Sequence, residues 1–396
     1  MFSSFDKEKI IFDLFQAYFD ARKNKRNTIN ALAFEKDFEA NLFSLADEII
    51  ERRYSPDSST CFVVTKPVRR EIFAADFRDR VVHHFIYNYI SQIFEKTFIN
   101  DNYSCRVGKG THYGIKRADK FIRSCSQNYM KDCFILKLDI KGYFMAINKK
   151  LLFNKVKETL LKHRLKIDFD LSLVLYLIEK TIFNEPVNNC HIQGSRNDWH
   201  GLPESKSLFH ARKNCGLPIG NLTSQLFGNI YLNEFDHWVK RDLGIHFYCR
   251  YVDDILLIHN NKTYLLSCIQ KIKTYLDKNL ELKLHPDKIY LQHFNRGVKY
   301  LGTVIKPHRI YIANRTKGNF YSAVKKLNEI VKDHKPAKEE NRIFLSRMNS
   351  YLGIMKHYST YKLRKEILQK NLSGWWWNQV YLSNAYSKFV LNQKRS

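Results

Sequence analysis

The 396-residue chain predicts an α+β protein, and three observations carry that expectation. Apolar residues recur at spacings of three and four through the first fifty positions, as they do on the buried face of a helix. In the middle of the chain that period gives way to short apolar runs bounded by turn residues, which is the pattern of strands. A basic tail beyond Asn314 reads as helices again. Hydrophobic residues make up 44% and aromatics 14% of the chain, enough apolar surface to offset the entropy lost on folding, so disorder is excluded as its main state.

Taken in order, Ile10, Phe12, Leu14, Phe15, Tyr18 and Phe19 mark a first helix. Leu32, Phe34, Phe38, Leu42, Leu45 and Ile49 repeat the pattern, which gives a helical region over residues 1–60. Residues 61–65 are a β-branched run, and 66–73 continue it as a basic hairpin. A long helix is expected over 80–98, with Val81, Phe85, Tyr89 and Ile93 on one face, and another over 111–125. Residues 133–138 form an apolar strand that ends at Asp139. Helices over 149–163 and 171–183 follow, then a loop rich in Asn, Gly and Ser over 184–206 and a turn at 216–220. Asn221 is expected to cap a helix that runs to about Val239. Residues 246–250 and 255–259 are strands joined through Tyr251, Val252, Asp253 and Asp254, a hairpin with two acids at its tip. A helix over 264–280 and strands at 289–292, 298–305 and 310–312 complete the middle region. The last 82 residues hold 17 Lys or Arg against five Asp or Glu and read as a separate basic helical domain, with a loop over 333–341.

Charge narrows the function classes. Sixty-six Lys and Arg against 39 Asp and Glu leave +27, with a sequence pI near 9.6. A compact chain tolerates such self-repulsion when its partner is a polyanion, because each cation that meets a phosphate releases counterions. A membrane is not the expected polyanion. No run of 18 apolar residues is present, and the charge-free stretch 214–233 holds four Asn, a Gln, a Ser, a Thr and a Pro. The early charges Asp6, Lys7, Glu8, Lys9 and Asp13 speak against a signal peptide. The eight cysteines are scattered without a CxxC pair, so reduced thiols in a cytoplasmic protein are expected rather than disulfides or zinc.

Asp139, Asp253 and Asp254 are the sharpest chemical feature. Three carboxylates at strand ends repel one another unless cations lie between them, and two Mg²⁺ ions suit oxygen-only ligands. Such a pair activates a hydroxyl and stabilises a leaving oxygen in nucleotidyl transfer. By itself, an Asp-Asp pair in a hairpin also reads as a turn held by side-chain hydrogen bonds.

The strings around these acids decide between the two. Phe134-Ile-Leu-Lys-Leu-Asp139, Gly216-Leu-Pro-Ile-Gly220 with Asn221 to Gln225, and Tyr251-Val-Asp-Asp254 occur in the order of the palm motifs of reverse transcriptases, and the chain resembles that family. His285-Pro-Asp-Lys288 and Gly297-Val-Lys-Tyr-Leu-Gly302 resemble the two remaining palm elements. The resemblance implies a right-hand polymerase with fingers at 61–132, a palm at 133–312 interleaved with fingers elements, and a thumb at 313–396. It also implies two Mg²⁺ ions held by Asp139, the Ile140 carbonyl, Asp253 and Asp254. Phe144 falls where the family has the ring that excludes a ribose 2′-OH, and Ile219, Gly220 and Gln225 fall where it meets the incoming nucleotide. Tyr300, Leu301 and Gly302 match the primer grip.

Lys66, Arg69 and Arg70 on the basic hairpin are candidates for gripping the triphosphate, or contact the template as a solvated basic surface. Lys288 either protonates the pyrophosphate leaving group or lies on the surface. Trp375, Trp376 and Trp377 cannot share one helix face, so at least one is expected in the core. His83-His84 and Cys190-His191 lack the geometry of a four-ligand metal site and read as core or hydrogen-bonding residues.

Residues 217–225, 78–84, 102–112 and 350–357 are similar to the enzymes of diversity-generating retroelements. That resemblance implies a bacterial or phage-encoded enzyme that copies a template-repeat RNA into cDNA with frequent errors opposite adenine. Its expected partners are the template RNA, the primer–cDNA duplex, deoxynucleoside triphosphates and a small basic accessory protein. A reverse transcriptase of a phage-defence system, a group II intron relative and a catalytically silent RNA-binding scaffold are the rival readings.

Overall fold

The computed structural model describes residues 4–23, 28–65 and 68–392. They fall into two compact units, one of residues 1–110, 137–257 and 263–290, the other of 111–136, 258–262 and 291–396. Helices and small sheets are mixed in both, as the α+β expectation requires.

The first unit begins with helices Ser4–Arg22, Ile29–Lys36 and Phe38–Ile50, whose buried positions Ile10, Leu14, Ala17, Tyr18, Leu42, Leu45 and Ile49 recur at helical spacing, whereas Phe12, Phe19 and Leu32, expected with them, are exposed. They pack beside helix Phe77–Glu95, where Asp76 caps the N-terminus by accepting from Arg78 N at 3.0 Å. The basic hairpin is formed by strands Ser59–Val64 and Arg70–Ala74, with Cys61 opposite Phe73 and Val63 opposite Glu71. A third strand, Cys190–Ile192, pairs in parallel with Ser59–Cys61. This strand lies in the expected loop over 184–206, because three residues are too few to show alternation and their partner lies some 130 positions earlier.

Helix Leu222–Tyr231 is likewise shorter than expected: at Leu232 ψ is 4°, and a second helix, Asn233–Arg241, starts afresh. Asn221 does not cap through its side chain. Its Oδ1 accepts from Ala75 N at 3.3 Å and so ties the turn before the helix to the hairpin. A four-stranded sheet has the order Phe247–Tyr251, Asp254–His259, Phe134–Asp139, Tyr290–His293, which puts the strand of Asp139 beside the strand that begins at Asp254. Helix Lys262–Leu280 buries Leu265, Cys268, Ile272, Leu276 and Leu280 at helical spacing.

In the second unit, strands Val298–Tyr300, Thr303–Lys306 and Arg309–Ile312 form an antiparallel meander. The expected single strand over 298–305 breaks at Leu301 and Gly302, both at positive φ, as a two-residue hairpin turn demands. The basic tail folds as helices Asn314–Asp333, Lys338–Met355, Tyr361–Asn371 and Gly374–Gln379. It then closes with a hairpin, Val380–Leu382 and Phe389–Leu391, that periodicity did not reveal. Trp376 is the core member of the tryptophan triplet. It is fully buried, stacks on Phe344 with ring centres 3.9 Å apart and donates from Nε1 to Leu327 O at 3.1 Å. Trp375 and Trp377 pack against the same cluster.

Candidate active site

The hairpin that carries Asp253 and Asp254 is anchored through its first strand. Arg250 and Asp236 are both fully buried, and the guanidinium meets the carboxylate twice, Nε to Oδ1 at 2.7 Å and Nη2 to Oδ2 at 2.6 Å. Tyr248 donates to the same carboxylate at 2.6 Å. Burial opposes the guanidinium's charge, yet the paired Asp236 holds the Arg250 pKa above its ordinary value. The remaining Nη1 donates to Val252 O at 3.1 Å and so grips the turn itself. That grip matters because Val252 sits at φ +56°, a conformation that a β-branched side chain resists at a cost of about 1–3 kcal/mol.

The tip is held against the end of the strand Phe134–Asp139 by a main-chain bond, Ile140 N to Asp253 O, at 3.3 Å. On the other side, His285 N donates to Asp139 O at 2.8 Å and Ile140 bridges to Leu284, which brings the Pro286–Lys288 turn alongside. The structure thus gathers Asp139, Ile140, Asp253, Asp254 and Lys288. Lys288 Nζ lies 2.9 Å from Asp139 Oδ2, and Lys137 Nζ lies 2.9 Å from Asp254 Oδ1. Asp253 has no such match. Burial, and then the negative charges of Asp139 and Asp254, push its pKa up to about 6, with Lys288 opposing.

Among the described residues, no three His, Cys, Asp or Glu side chains form a ready-made metal cage. The donors at this tip are nevertheless hard oxygens under mutual repulsion. Mg²⁺ is held in such places by one or two carboxylates, waters and substrate phosphates rather than by an all-protein cage. The residues present fit that mode of binding.

Phe144 and Ile219 are brought together, both partly buried against one apolar cluster of Cys61, Phe73, Met145 and Leu208. Ile219 O accepts from Phe73 N at 2.9 Å. At Gly220, with φ +131°, a Cβ would lie 2.9 Å from Phe73 O, so the close approach of turn and hairpin needs glycine. Gln225 is exposed on the first turn of its helix, and Arg70 is exposed at the start of its strand. Arg69 is committed elsewhere, its Nη1 donating to His200 O. Lys66 lies outside the described residues. Tyr300, Leu301 and Gly302 belong to the second unit, where Thr303 Oγ1 donates to Tyr300 O at 2.8 Å and Ala313 N to Gly302 O at 3.0 Å. His83 is buried against Thr223 Oγ1 at 2.7 Å, and burial lowers its pKa to about 3.

Sequence reasoning missed three residues. Lys137 lies two positions before Asp139 on one strand and so shares its face, a signal that period-two reading offers. Arg250 is a charge inside an apolar strand run, and Glu71 is an acid at an inward position of an alternating strand. Both patterns announce a buried partner.

The family model for reverse transcriptase (RNA-dependent DNA polymerase) matches residues 64–305, more than half of the chain. Protein YkfC of Escherichia coli (strain K12) is 22% identical over 308 residues, which span 69% of this chain and 73% of that protein. Among solved structures, apo telomerase from Candida tropicalis, truncated from its C-terminal domain, aligns with a TM-score of 0.45 at 11% identity, over 69% of this chain and 60% of that one. Telomerase from Candida albicans in complex with a TWJ fragment of telomeric RNA aligns at 0.44 and 11%, over 86% and 59%. The chain therefore spans about 60% of the length of those telomerases. With the family's match running unbroken from the basic hairpin through all three acids to the 303–306 strand, the chain belongs to the reverse transcriptases, the RNA-dependent DNA polymerases.

Proposed function

We propose that this chain is the reverse transcriptase of a diversity-generating retroelement. It adds deoxynucleotides to a primer 3′-OH along a template-repeat RNA and misincorporates often opposite adenine. The single observation that carries the chemistry is the meeting of Asp139, Asp253 and Asp254 at a strained tip, with two lysines for three acids.

In this reading Asp139, Asp253, Asp254 and the Ile140 carbonyl hold two Mg²⁺ ions. When bound, magnesium lowers the pKa of the primer hydroxyl and takes up charge on the leaving oxygen. The protein's own part is placement. The Arg250 grip on Val252 O fixes the acids before substrate arrives, so no reorganisation is required during the reaction. Lys288 serves the pyrophosphate oxygens, and Arg70, with Lys66, the triphosphate. Phe144 faces the sugar. Ile219 meets the nucleotide with a side chain that donates no hydrogen bond, so discrimination there rests on shape, which a loosened fidelity requires.

We further propose a palm over 133–312, fingers over 61–132 and a thumb over 313–396, in which Tyr300, Leu301 and Gly302 grip the primer. The basic surface tracks the RNA–cDNA duplex, a small basic protein assists, and the enzyme works in the cytoplasm. Deoxynucleotide incorporation on a primed RNA containing all four bases, with Mg²⁺ and product sequencing, tests the reading. Errors concentrated opposite template adenine are expected, and accurate products would overturn the retroelement assignment.

A further inference from the structure

Residues 190–208 have no part in the reaction as proposed, yet they are tied to both sides of the nucleotide-facing wall. On the hairpin side, Glu71 is 1% exposed and accepts from Trp199 Nε1 at 2.6 Å, Ser207 Oγ at 2.7 Å and Leu208 N at 2.6 Å. All three neutral donors come from this one segment. They offset the cost of burying a carboxylate. Arg69 adds its bond to His200 O, and Cys190–Ile192 adds its strand.

On the side of the acids, Gly142 follows Asp139 by three residues at φ +57°, and a Cβ there would run into the Ser205 carbonyl oxygen. Leu208, held through its own N–H by Glu71, then enters the apolar cluster that backs Phe144 and Ile219. One segment therefore touches the hairpin, the turn after Asp139 and the packing behind both candidate nucleotide contacts.

We infer that residues 190–208 are a strap that fixes the wall against which the incoming nucleotide is selected, and that Glu71 is its latch, a positioning residue for nucleotide selection. The inference rests on the polymerase reading of the site. Glu71 touches neither the acids nor the positions assigned to substrate. It acts by setting Leu208 beneath Phe144 and Ile219 on one side, while the alternation of its strand turns neighbouring Arg70 outward on the other. A carboxylate is acceptor-only, so Gln at this position would turn an NH₂ toward one of the three donors.

The test is single-nucleotide incorporation on primed RNA by the full chain and by Glu71→Gln and Trp199→Phe, using a deoxynucleotide and its ribonucleotide. Amide hydrogen exchange is followed over residues 140–146 and 190–210. For Glu71→Gln, the KM for the deoxynucleotide should rise about tenfold and the preference over ribonucleotide narrow about tenfold, with kcat and primer–template affinity nearly unchanged. Exchange should quicken in both segments. Trp199→Phe keeps an aromatic ring in place, loses one donor with the pyrrole ring that carries it, and should shift both readouts in the same direction by less, and it carries the comparison if Glu71→Gln does not fold. Unchanged KM and sugar preference, or faster exchange confined to 190–210, would overturn the inference. A wild-type chain that incorporates nothing would instead sink the polymerase reading, and the exchange at 140–146 would still decide whether the strap governs that turn.

Discussion

The hairpin over residues 247–259 meets carboxylates in two opposite ways. Against its first strand, Asp236 is fully buried and fully matched, with two contacts from Arg250 and a third donor in Tyr248. At the tip, three carboxylates converge on two lysines beside a valine forced to positive φ. At Asp236 the chain supplies the counter-charge itself. At the tip counter-charge falls short and backbone strain is tolerated, and in the proposed reading bound magnesium would supply the rest. The buried pair also supports the tip, because the guanidinium that neutralises Asp236 holds the Val252 carbonyl.

The sharpest test of this contrast is Asp139→Asn. It should lower primer extension by at least roughly 10²–10³-fold, the scale of losing one preorganised electrostatic group, and leave the melting temperature in place. Arg250→Met should do the reverse to the fold, with about 3–5 kcal/mol lost in denaturant titration because Asp236 stays buried without its partner.

Asp79 lies between the two extremes. It accepts from Tyr54 OH and Asp57 N, both at 2.8 Å, yet burial raises its pKa to about 6. Because the folded pKa is raised, its stabilising contribution is complete below about pH 4 and is lost as pH climbs through about 6. Stability should fall by up to about 3 kcal/mol across that window in wild type, and the step should vanish in Asp79→Asn. Magnesium at a hundredfold excess over its Kd should add about 2.7 kcal/mol, reversed by chelation and missing in Asp253→Asn. Val252→Gly is the smallest case. Relief of strain against the extra chain entropy of glycine should leave a net gain of about 1 kcal/mol, and a loss instead would show that the tip is not strained.

How much of this was legible in the sequence depends on how far apart the partners lie. Asp253 and Asp254 sit in four consecutive residues between two apolar runs, and Asp139 ends a third, so local pattern singled them out, while the resemblance to reverse transcriptases was needed to prefer the metal reading over a turn. The helices over 4–50 and 111–125 were equally plain, since their period repeats over several turns. Glu71 stayed hidden because its three donors come from 128 to 137 positions away, on a segment whose strand is only three residues long. Arg69 looked like a phosphate ligand for its charge, and only the fold shows it bound to the His200 carbonyl. The break at Leu232 escaped because Leu favours helix and nothing local forbids its continuation.

The most direct measurement pairs Asp253→Asn with Asp236→Asn and follows primer extension on RNA and thermal melting for both. The account predicts that Asp253→Asn abolishes synthesis while melting at or above the wild-type temperature, and that Asp236→Asn melts well below it. Synthesis by Asp253→Asn, or a melting loss in it as large as that of Asp236→Asn, would contradict the division of labour between a structural anchor at Asp236 and a catalytic tip at Asp253.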